Sequence, residues 1–418
     1  MKNSALHFSK YAIMLLLLIN GSLLRAQENL IVASAAKLPS KEDAIITAGD
    51  LAEQLLKKDE GEEDEIPKLS FSGSVDTYFH SSFKTKNAYY DDAFAPSSSF
   101  ADLKGFSIGM VNLIASYAGS KAGFTADLVF GPRGKAAVFG SASGQAIINQ
   151  AFVYYNFSDK ITLNIGQFNT FLGYEVISPA VNFHYSTSYL FSYGPFNHTG
   201  ARLDFALDKG FVAKLAVMNP TDLVEFNPVN TYTLGAQIGK TSDAGGIWLN
   251  FLYGDQDGTL VKDEASIGES SAGKLFQADV TLGYELSPVF YLGFNASMQS
   301  TTAGEEVNDN GDIVKTAGPT SSFLGFAVYP KISLSKSFDL GLRAEYFSIK
   351  HNHLGIIGLG EDGAGSVVEF TLSGNYKLGN LMFIPEVRID KTTENSFYKG
   401  ASAKDMMATL NIAAVYKF

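Results

Sequence analysis

The last nine residues, 410–418, constrain the fold of this chain more than any other stretch. They alternate strictly between an apolar and a mixed face, and the apolar face ends in two aromatic rings. A soluble protein rarely leaves such a strand uncovered. In a membrane barrel, lipid covers the apolar face and the last strand pairs with the first. The pattern therefore predicts an all-β fold, a transmembrane antiparallel up-and-down β-barrel. The apolar face consists of Leu410, Ile412, Ala414, Tyr416 and Phe418.

Residues 1–26 are expected to be a secretory signal peptide. Lys2 and Lys10 precede an apolar run over residues 11–19, and small residues follow, with cleavage expected after Ala26. The apolar run is too short for a transmembrane anchor. The chain has no cysteine, which suits an oxidising exterior but is also common in cytosolic proteins.

Residues 27–66 form a separate region, which we interpret as a short periplasmic helix followed by an acidic linker. Ser40 is a candidate N-cap with an acid three residues later, and an amphipathic stripe continues to Lys58. The acidic run over residues 59–65 is typical of a solvated linker. A second interpretation is that the helix plugs the pore or assembles with its copies in an oligomer.

Residues 67–418 are predicted to form the barrel, as a series of antiparallel hairpins with about 16 strands. Each even-numbered strand before the last is followed by a short turn, whereas the odd-numbered strands are mostly followed by long polar segments. This asymmetry is typical of bacterial outer-membrane barrels, and an even strand number places both termini on the periplasmic side. The predicted strands are 69–82, 104–117, 122–131, 148–158, 161–168, 199–207, 210–219, 231–240, 246–254, 274–286, 289–299, 321–334, 338–349, 366–378, 381–390 and 405–418.

Charged residues in the clearest strands lie opposite the apolar face. In the tenth strand, for example, Asp279 and Glu285 alternate with a row of apolar residues. Because an Arg or Lys on the lipid face would cost about 2–4 kcal/mol near the midplane, this alternation indicates a polar lumen. Two strands fit less well. The second changes parity at Met110, which predicts a β-bulge or a misplaced strand start. The fifteenth contains Pro385, which cannot donate to the ladder.

Composition supports a barrel and argues against a nucleic-acid partner. The chain has 32 Phe, 20 Tyr and 40 Gly. Aromatic rings form the girdles of membrane barrels and flank the short turns here, and Gly permits tight turns and curved strands. The formal charge is −11; the signal contributes +3 and residues 27–66 contribute −7, which leaves −7 for the barrel. An acidic barrel does not suit nucleic acid and weakly favours cations.

The segment between the fifth and sixth strands, residues 169–198, is unusually aromatic. It contains eight aromatic residues and one carboxylate, with no Lys or Arg. An external loop of this length should be polar, so the rings are expected to pack. They can do so under other loops, as a lid, or inside the barrel. We favour the inward fold, in which the segment narrows the pore.

Three motifs in and around this segment carry a family resemblance. They are GQFNTFLGYE at residues 166–175, NFHYSTSY at 182–189 and GPFNHTGAR at 194–202. They resemble the hallmark region of the OmpL-like β-barrel porins of Gram-negative bacteria. The resemblance implies an outer-membrane channel for small solutes and implies no catalytic residues. We expect no cofactor and no bound metal.

Seven residues are candidates for a pore constriction. Acids and bases that face each other across a narrow zone would set a transverse field and filter solutes by charge. Alternatively, they are ordinary polar residues of the lumen. Gln167 shares the parity of its apolar neighbours and is left out. The candidates are Glu175, His184, Tyr185, His198, Arg202, Asp204 and Lys214.

Two histidine patterns raise other chemistries. His351 and His353 would share one face of a strand, but with no third ligand nearby we expect a solvated loop. His184 and His198 lie near serines, which raises the option of a barrel enzyme such as an outer-membrane phospholipase. Spacing alone does not establish a triad, so we expect these residues to be polar anchors of the folded loop.

The leading hypothesis is an outer-membrane porin that lets small hydrophilic solutes diffuse passively, because 16 strands leave a water-filled channel. The alternatives are a sugar-selective channel with stacking surfaces on the aromatic segment and, less favoured, a barrel enzyme. The expected partners are the lipid bilayer, small solutes and the barrel-assembly machinery. That machinery would recognise Tyr416 and Phe418, since alternating apolar residues before a terminal Phe resemble its recognition signal. The sequence does not determine the oligomeric state; a homotrimer is one option.

Overall fold

The computed structural model describes residues 68–83, 85–87, 100–139, 147–261, 266–315, 320–351 and 358–418. The signal peptide predicted over residues 1–26, the helix and linker predicted over residues 27–66, and His353 lie outside these ranges.

Within the described residues, sixteen antiparallel strands form a closed barrel, as the sequence predicted. Each strand pairs with its neighbours in sequence, and the last pairs with the first. The strands are β1 Lys68–Ser82, β2 Gly105–Ala118, β3 Ala122–Phe130, β4 Ile148–Ser158, β5 Ile161–Asn169, β6 Asn197–Ala206, β7 Phe211–Met218, β8 Thr233–Ser242, β9 Gly245–Asp255, β10 Ser270–Ser287, β11 Phe290–Val307, β12 Ser321–Ser335, β13 Phe338–Lys350, β14 Gly365–Leu378, β15 Leu381–Thr392 and β16 Met406–Lys417.

The strands alternate between an apolar outer face and a largely polar inner face. In β9, for example, Ile247, Leu249 and Phe251 are exposed, whereas Asn250 between them is fully buried. A hydrocarbon layer can cover the outer face, and the inner face keeps its polar groups in the lumen. The charge placement expected from the sequence is therefore confirmed.

Short turns and long connections lie at opposite ends of the barrel, as predicted. The turns after the even-numbered strands are 119–121, 159–160, 207–210, 243–244, 288–289, 336–337 and 379–380. β1 begins at this short-turn end and β16 finishes there. Aromatic rings flank the turns; Tyr117 and Phe124, for instance, stack across the first turn with centroids 6.0 Å apart. Such rings are suited to the lipid–water boundary.

The long connections carry two short helices, α1 Gly131–Ala137 and α2 Tyr189–Tyr193. A 3₁₀ turn at Asp208–Gly210 lies in one of the short turns. Brief strands at Lys86–Asn87, Ile313–Lys315, Phe397–Lys399 and Ser402–Lys404 lie outside the barrel wall. No helix in the described ranges is long and apolar enough to cross a membrane.

The two irregular strands behave as their sequences suggest. In β2 the pairing with β1 shifts at the predicted bulge, where Gly109 and Met110 face the single residue Asp76. The amide of Met110 donates a hydrogen bond to the Asp76 carboxylate at 2.9 Å. In β15 the pairing with β14 is interrupted beside Pro385, while the pairing with β16 continues through it. Both strands therefore belong to the barrel.

One hairpin is longer than the sequence predicted. β10 begins at Ser270 rather than residue 274, and β11 continues to Val307 rather than residue 299. The added residues are polar or small and lack alternation, so no pattern marks them. Backbone pairing nevertheless continues, since Ser270 lies opposite Glu306. The hairpin extends beyond the apolar part of the wall.

Candidate functional site

The aromatic segment, residues 169–198, lies against lumen-facing side chains of the barrel wall. On β15, Glu386 accepts hydrogen bonds from the amides of Tyr185 and Ser186 at 2.7 and 3.1 Å. On β13, Glu345 accepts hydrogen bonds from the first two amides of α2 at 2.8 and 2.7 Å. Both carboxylates face the lumen, so the segment is folded inward. The inward fold favoured from composition is what the structure shows.

Arg343 of β13 joins the segment to the wall from a completely buried position. Its guanidinium donates to Glu175 at 2.7 Å and to the Ser186 carbonyl, also at 2.7 Å. It also donates to Glu369 of β14 at 3.0 Å. One arginine thus binds a side chain and a backbone carbonyl of the segment together with a carboxylate of the wall.

Arg388 of β15 makes a parallel connection. It donates to the Thr187 carbonyl at 2.6 Å and to Asp390 at 2.9 Å. Its guanidinium also lies over the Tyr189 ring, 5.3 Å from the centroid. We call the six wall residues that hold the segment the charged clamp. They are Arg343, Glu345, Glu369, Glu386, Arg388 and Asp390.

The clamp satisfies charges that would otherwise be costly to bury. A buried ionised group needs a counter-charge or several hydrogen bonds. Two guanidiniums do not pair with every carboxylate in the clamp, and backbone amides of the segment supply the remaining donors to Glu345 and Glu386. Because these bonds use the backbone, the position of the segment depends on its conformation as much as on its side chains.

Most aromatic rings of the segment pack against other groups of the protein. Tyr193 packs on Phe347 of β13 with centroids 4.5 Å apart, and Tyr174 stacks on Tyr329 of β12 at 4.2 Å. The other stacking partners are also internal to the protein. The buried rings of the segment are Tyr185, Tyr189, Phe191, Tyr193 and Phe196. These five rings offer no free face to a solute.

A second anchor fixes the start of the segment to the wall formed by β8–β11. The amide of Gly173 donates to Asp279 at 3.1 Å, and Gln237 donates to the Phe171 carbonyl, also at 3.1 Å. Asn250 lies between them and donates to Asp279 at 2.7 Å. The segment therefore reaches from this wall across to the charged clamp.

Tyr185 is held from three sides. Its hydroxyl donates to Asp76 of β1 at 2.5 Å, and its carbonyl accepts a hydrogen bond from Arg133 of α1 at 3.0 Å. Arg133 also donates to the Ile177 carbonyl at 3.2 Å. Helix α1 thus adds a third support to the segment. Asp76, which accepts the hydrogen bond from the Met110 amide at the β2 bulge, also fixes the Tyr185 ring.

The end of the segment is fixed by Asp222, which lies outside the wall in the connection between β7 and β8. Its carboxylate accepts hydrogen bonds from the amides of Phe196 and Asn197, both at 2.9 Å. Burial raises the pKa of Asp222 to about 6, against the lowering effect of these two amides. The anchor therefore titrates in a mildly acidic range.

The predicted site residues fall into two groups and one outlier. Glu175, His184 and Tyr185 lie at the charged clamp, where the His184 Nδ1 is 2.8 Å from the Ser373 hydroxyl. His198 is enclosed at the start of β6 and contacts the Thr170 hydroxyl at 3.0 Å. It lies apart from the clamp and anchors the segment to the wall.

The second group lies on β6 and β7. Arg202 donates to both oxygens of Asp204 at 2.8 and 2.9 Å, and Asn164 donates to the same carboxylate at 3.1 Å. Lys214 lies directly opposite Asp204 in the strand register. Within the described residues, no contact joins this group to Glu175, His184 or Tyr185.

Ser373 and His184, which lie beside the charged clamp, are not arranged for nucleophilic catalysis. The Ser373 hydroxyl donates to Glu386 at 2.9 Å, so its proton points away from His184. Both side chains are buried. A nucleophile requires a hydroxyl that donates to the histidine and that a substrate can reach.

Within the described ranges, no group of three or more His, Cys, Asp or Glu side chains is arranged to hold a metal ion. His351 is exposed and contacts the Thr320 carbonyl at 2.7 Å. It lies directly after β13 and contacts the residue that precedes β12.

The charged clamp was absent from the sequence-based site, although one signal could have located part of it. The turn at residues 379–380 sets the register of β14 and β15, which places Glu369 opposite Asp390 and Thr371 opposite Arg388. Counting outward from a two-residue turn gives this alignment directly. The row of lumen-facing charges on neighbouring strands was therefore visible before the structure.

Comparisons with known proteins agree with this architecture. The sequence model of the family described as "Putative beta-barrel porin-2, OmpL-like" matches residues 68–418. The chain belongs to this family. It is thus a porin-type barrel whose matched region coincides with the sixteen strands, as the motifs at residues 166–202 suggested. No curated protein sequence matches the chain.

Solved structures similar to this porin are outer-membrane barrels. The outer membrane channel DcaP of Acinetobacter baumannii has a TM-score of 0.54 at 12% identity, covering 84% of this chain and 97% of that one. The anion-selective porin from Comamonas acidovorans has a TM-score of 0.54 at 10% identity, covering 84% and 100%. OmpT of Vibrio cholerae has a TM-score of 0.54 at 11% identity, covering 85% and 99%. At these identities the similarity establishes the fold.

Proposed function

We propose that this porin lets small hydrophilic solutes diffuse passively through its lumen, and that the aromatic segment sets the narrowest passage. The observation that carries the proposal is the charged clamp, which binds the segment backbone from the inner wall of a closed polar barrel. A 16-stranded barrel is wide enough for an aqueous channel. A segment fixed across it reduces the opening.

The passage runs beside Asp204 of β6 and Lys214 of β7. The clamp side is completely enclosed by the segment, whereas Asp204 and Lys214 on the other side are half-buried. These two residues are therefore the candidates that face the solute, whereas Arg202 is buried and holds Asp204 in place. Glu175, His184 and Tyr185 define the passage indirectly, by holding the segment in place.

Single-channel recording in planar lipid bilayers tests this proposal. We expect stepwise, ohmic conductance from the folded protein and none from a heat-denatured sample of equal concentration. An ester-lipid hydrolysis assay on the same preparation tests the alternative of a barrel enzyme. A folded preparation that conducts no ions would contradict the porin proposal. Release of fatty acid would favour the alternative of a barrel enzyme.

Several cellular features belong to the same proposal. Cleavage after Ala26 would release the mature chain, and the short-turn end would face the periplasm with both termini. The barrel-assembly machinery would engage Tyr416 and Phe418. A homotrimer is the oligomer we favour; OmpT of Vibrio cholerae, which shares the fold, is described in a trimer form. Chemical crosslinking in native membranes tests the oligomeric state.

A further inference from the structure

Trp248 is the single tryptophan of the chain, and it lies inside the barrel. Its neighbours Ile247 and Leu249 are exposed on the outer face of β9, so the indole projects into the lumen. The position is close to the short-turn end of the strand, away from the aromatic segment. The side chain is half-buried. The girdle aromatics of this barrel lie on the outer face, so Trp248 is not one of them.

The wall beneath the indole is built from glycines. A Cβ atom added at Gly239 of β8 would lie 2.2 Å from the indole Cδ1, and one added at Gly246 would lie 2.5 Å from Cη2. The ring therefore lies flat over two glycines, one on its own strand and one on the next. This leaves the opposite face of the ring toward the lumen. No acceptor for its Nε1 hydrogen is found among the described residues.

A lysine lies on the same side of the lumen. Lys214 is opposite Gln237 of β8 in the register and opposite Asp204 of β6. Asp204 is already bound by Arg202 and Asn164. Among the described residues, none forms a hydrogen bond or close ion pair with the Lys214 ammonium. Lys214 thus contributes a positive charge that the local ion pair does not neutralise.

The two groups lie within reach of a single small solute. Lys214 and Trp248 lie two strands apart and two residues out of register, so their Cα atoms are roughly 12 Å apart. The indole extends over Gly239, toward β7, which shortens the gap between ring and ammonium. A solute of one or two rings could touch both groups.

We propose that Trp248 and Lys214 form a binding site for a sugar that carries an acidic group. The apolar C–H face of a pyranose ring would stack on the free face of the indole, which removes apolar surface from water. The carboxylate, sulfate or phosphate of the sugar would accept charge-assisted hydrogen bonds from Lys214. The indole Nε1 would donate to a ring or hydroxyl oxygen. This deepens the proposed porin function by naming the class of solute.

Because the chain has a single tryptophan, its fluorescence reports on this site alone. The experiment uses the folded full-length mature protein in detergent micelles, titrated with D-glucuronate and, separately, with D-glucose. We expect glucuronate to change the emission of Trp248 and to protect it from acrylamide quenching, with about tenfold weaker binding of glucose. Equal binding of the two sugars, or no response to glucuronate, would overturn the proposal.

Matched lysine substitutions test the role of charge. Lys214→Gln should weaken glucuronate binding about tenfold and leave glucose binding unchanged. Lys240→Gln is the control, because Lys240 also lies near this end of the barrel but on the exposed outer face, over Phe211. Equal effects of both substitutions would show that Lys214 acts only through long-range electrostatics, and would overturn the proposed site.

Calorimetry tests the stacking platform without relying on fluorescence. Trp248→Leu keeps an apolar side chain on the lumen face but removes the flat ring, so we expect glucuronate binding to be lost. Retained binding would overturn the proposal. These readouts do not require conduction. A protein that binds glucuronate but passes no current would support the binding site and contradict the porin function. A protein that conducts but whose Trp248 does not respond to glucuronate would support the porin function and contradict the binding site.

Discussion

At the scale of single residues, Arg343 connects more partners than any other member of the charged clamp. Replacing it with Met leaves Glu175 without its counter-charge and leaves Glu369 with Arg388 alone, 3.6 Å away. Breaking a buried pair in this way costs about 3–5 kcal/mol. Because lumen water can reach the vacated carboxylates, we expect the lower end of this range. The strand ladders do not involve this side chain, so the barrel should still fold.

Hydrogen exchange of the peptide that contains α2 measures the effect of Arg343→Met. We expect the amides held by Glu345 and Glu386 to exchange about 100-fold faster than in the native protein. Lys377→Met is the control, because Lys377 pairs with Asp339 at 2.7 Å but is half exposed, and such pairs contribute at most about 1 kcal/mol. Unchanged exchange in Arg343→Met would show that packing alone holds the segment.

Asp222 gives the stability of the fold a pH dependence. Its pKa is raised to about 6 by burial, so folding favours the protonated carboxyl. The stabilisation is fully present below the unfolded pKa, near 4, and is lost as the pH rises through about 6. We expect the thermal unfolding midpoint to fall over this interval, and Asp222→Asn to flatten that fall. A mutant with the same pH profile as the native protein would exclude this carboxyl as the cause.

At the scale of elements, the aromatic segment and the barrel wall are separable. Deleting residues 181–191 removes most of the part that the clamp holds but leaves every barrel strand intact. We expect single-channel conductance to rise while the protein remains inserted and heat-modifiable on gels. A folded deletion mutant with native conductance would show that the passage lies elsewhere.

Strands were predictable from the sequence because their signals are local. Alternation and short turns located all sixteen, including β2 with its bulge at Met110. The inward fold was also predictable, since the segment is aromatic and nearly uncharged. Gln167 shows the limit of parity. Its parity assigned it to the apolar face, but its side chain is buried and donates to the Ile148 carbonyl at 2.7 Å, where the pairing of β3 with β4 shifts.

The clamp could not be assembled from the sequence as a site. Alternation placed its charges in the lumen, but not at a height that matched the segment. That height depends on the path of a long connection, which no turn geometry specifies. Trp248 was missed for a different reason. The eighth strand was predicted to end at residue 240 and the ninth to begin at residue 246, so the two-residue turn at 243–244, which sets their register and places Gly239 opposite Trp248, was not recognised.

At the scale of the whole molecule, closure depends on the C-terminal strand. Gly73 and Phe418 exchange two backbone hydrogen bonds at 3.0 Å, beyond the last register pair of β1 and β16. Deleting residues 416–418 removes these bonds and two rings of the girdle, so we expect the chain to accumulate in the periplasm. Lys417→Gln keeps both rings and should insert normally. Heat-resistant, conducting protein in the outer-membrane fraction of the deletion mutant would contradict this role.

The summed charge of the barrel predicts a modest preference for cations. The barrel region carries −7, and among the basic candidates Arg202, Arg343 and Arg388 are each paired with carboxylates. Loop charges are screened beyond roughly 8 Å at physiological salt, so the preference should be small. The reversal potential in a salt gradient measures it. A clear anion preference would mean that Lys214 governs the narrow zone.

The charged clamp also has a consequence for the order of assembly. The bond from the Tyr185 amide to Glu386 joins residues 201 positions apart, and that from the Leu190 amide to Glu345 joins residues 155 apart. The segment is therefore synthesised long before Glu345 and Glu386. It cannot form its hydrogen bonds to the wall until β13–β15 have paired. If the barrel forms strand by strand, the segment stays unattached until late, and we expect the lumen to narrow only near the end of assembly.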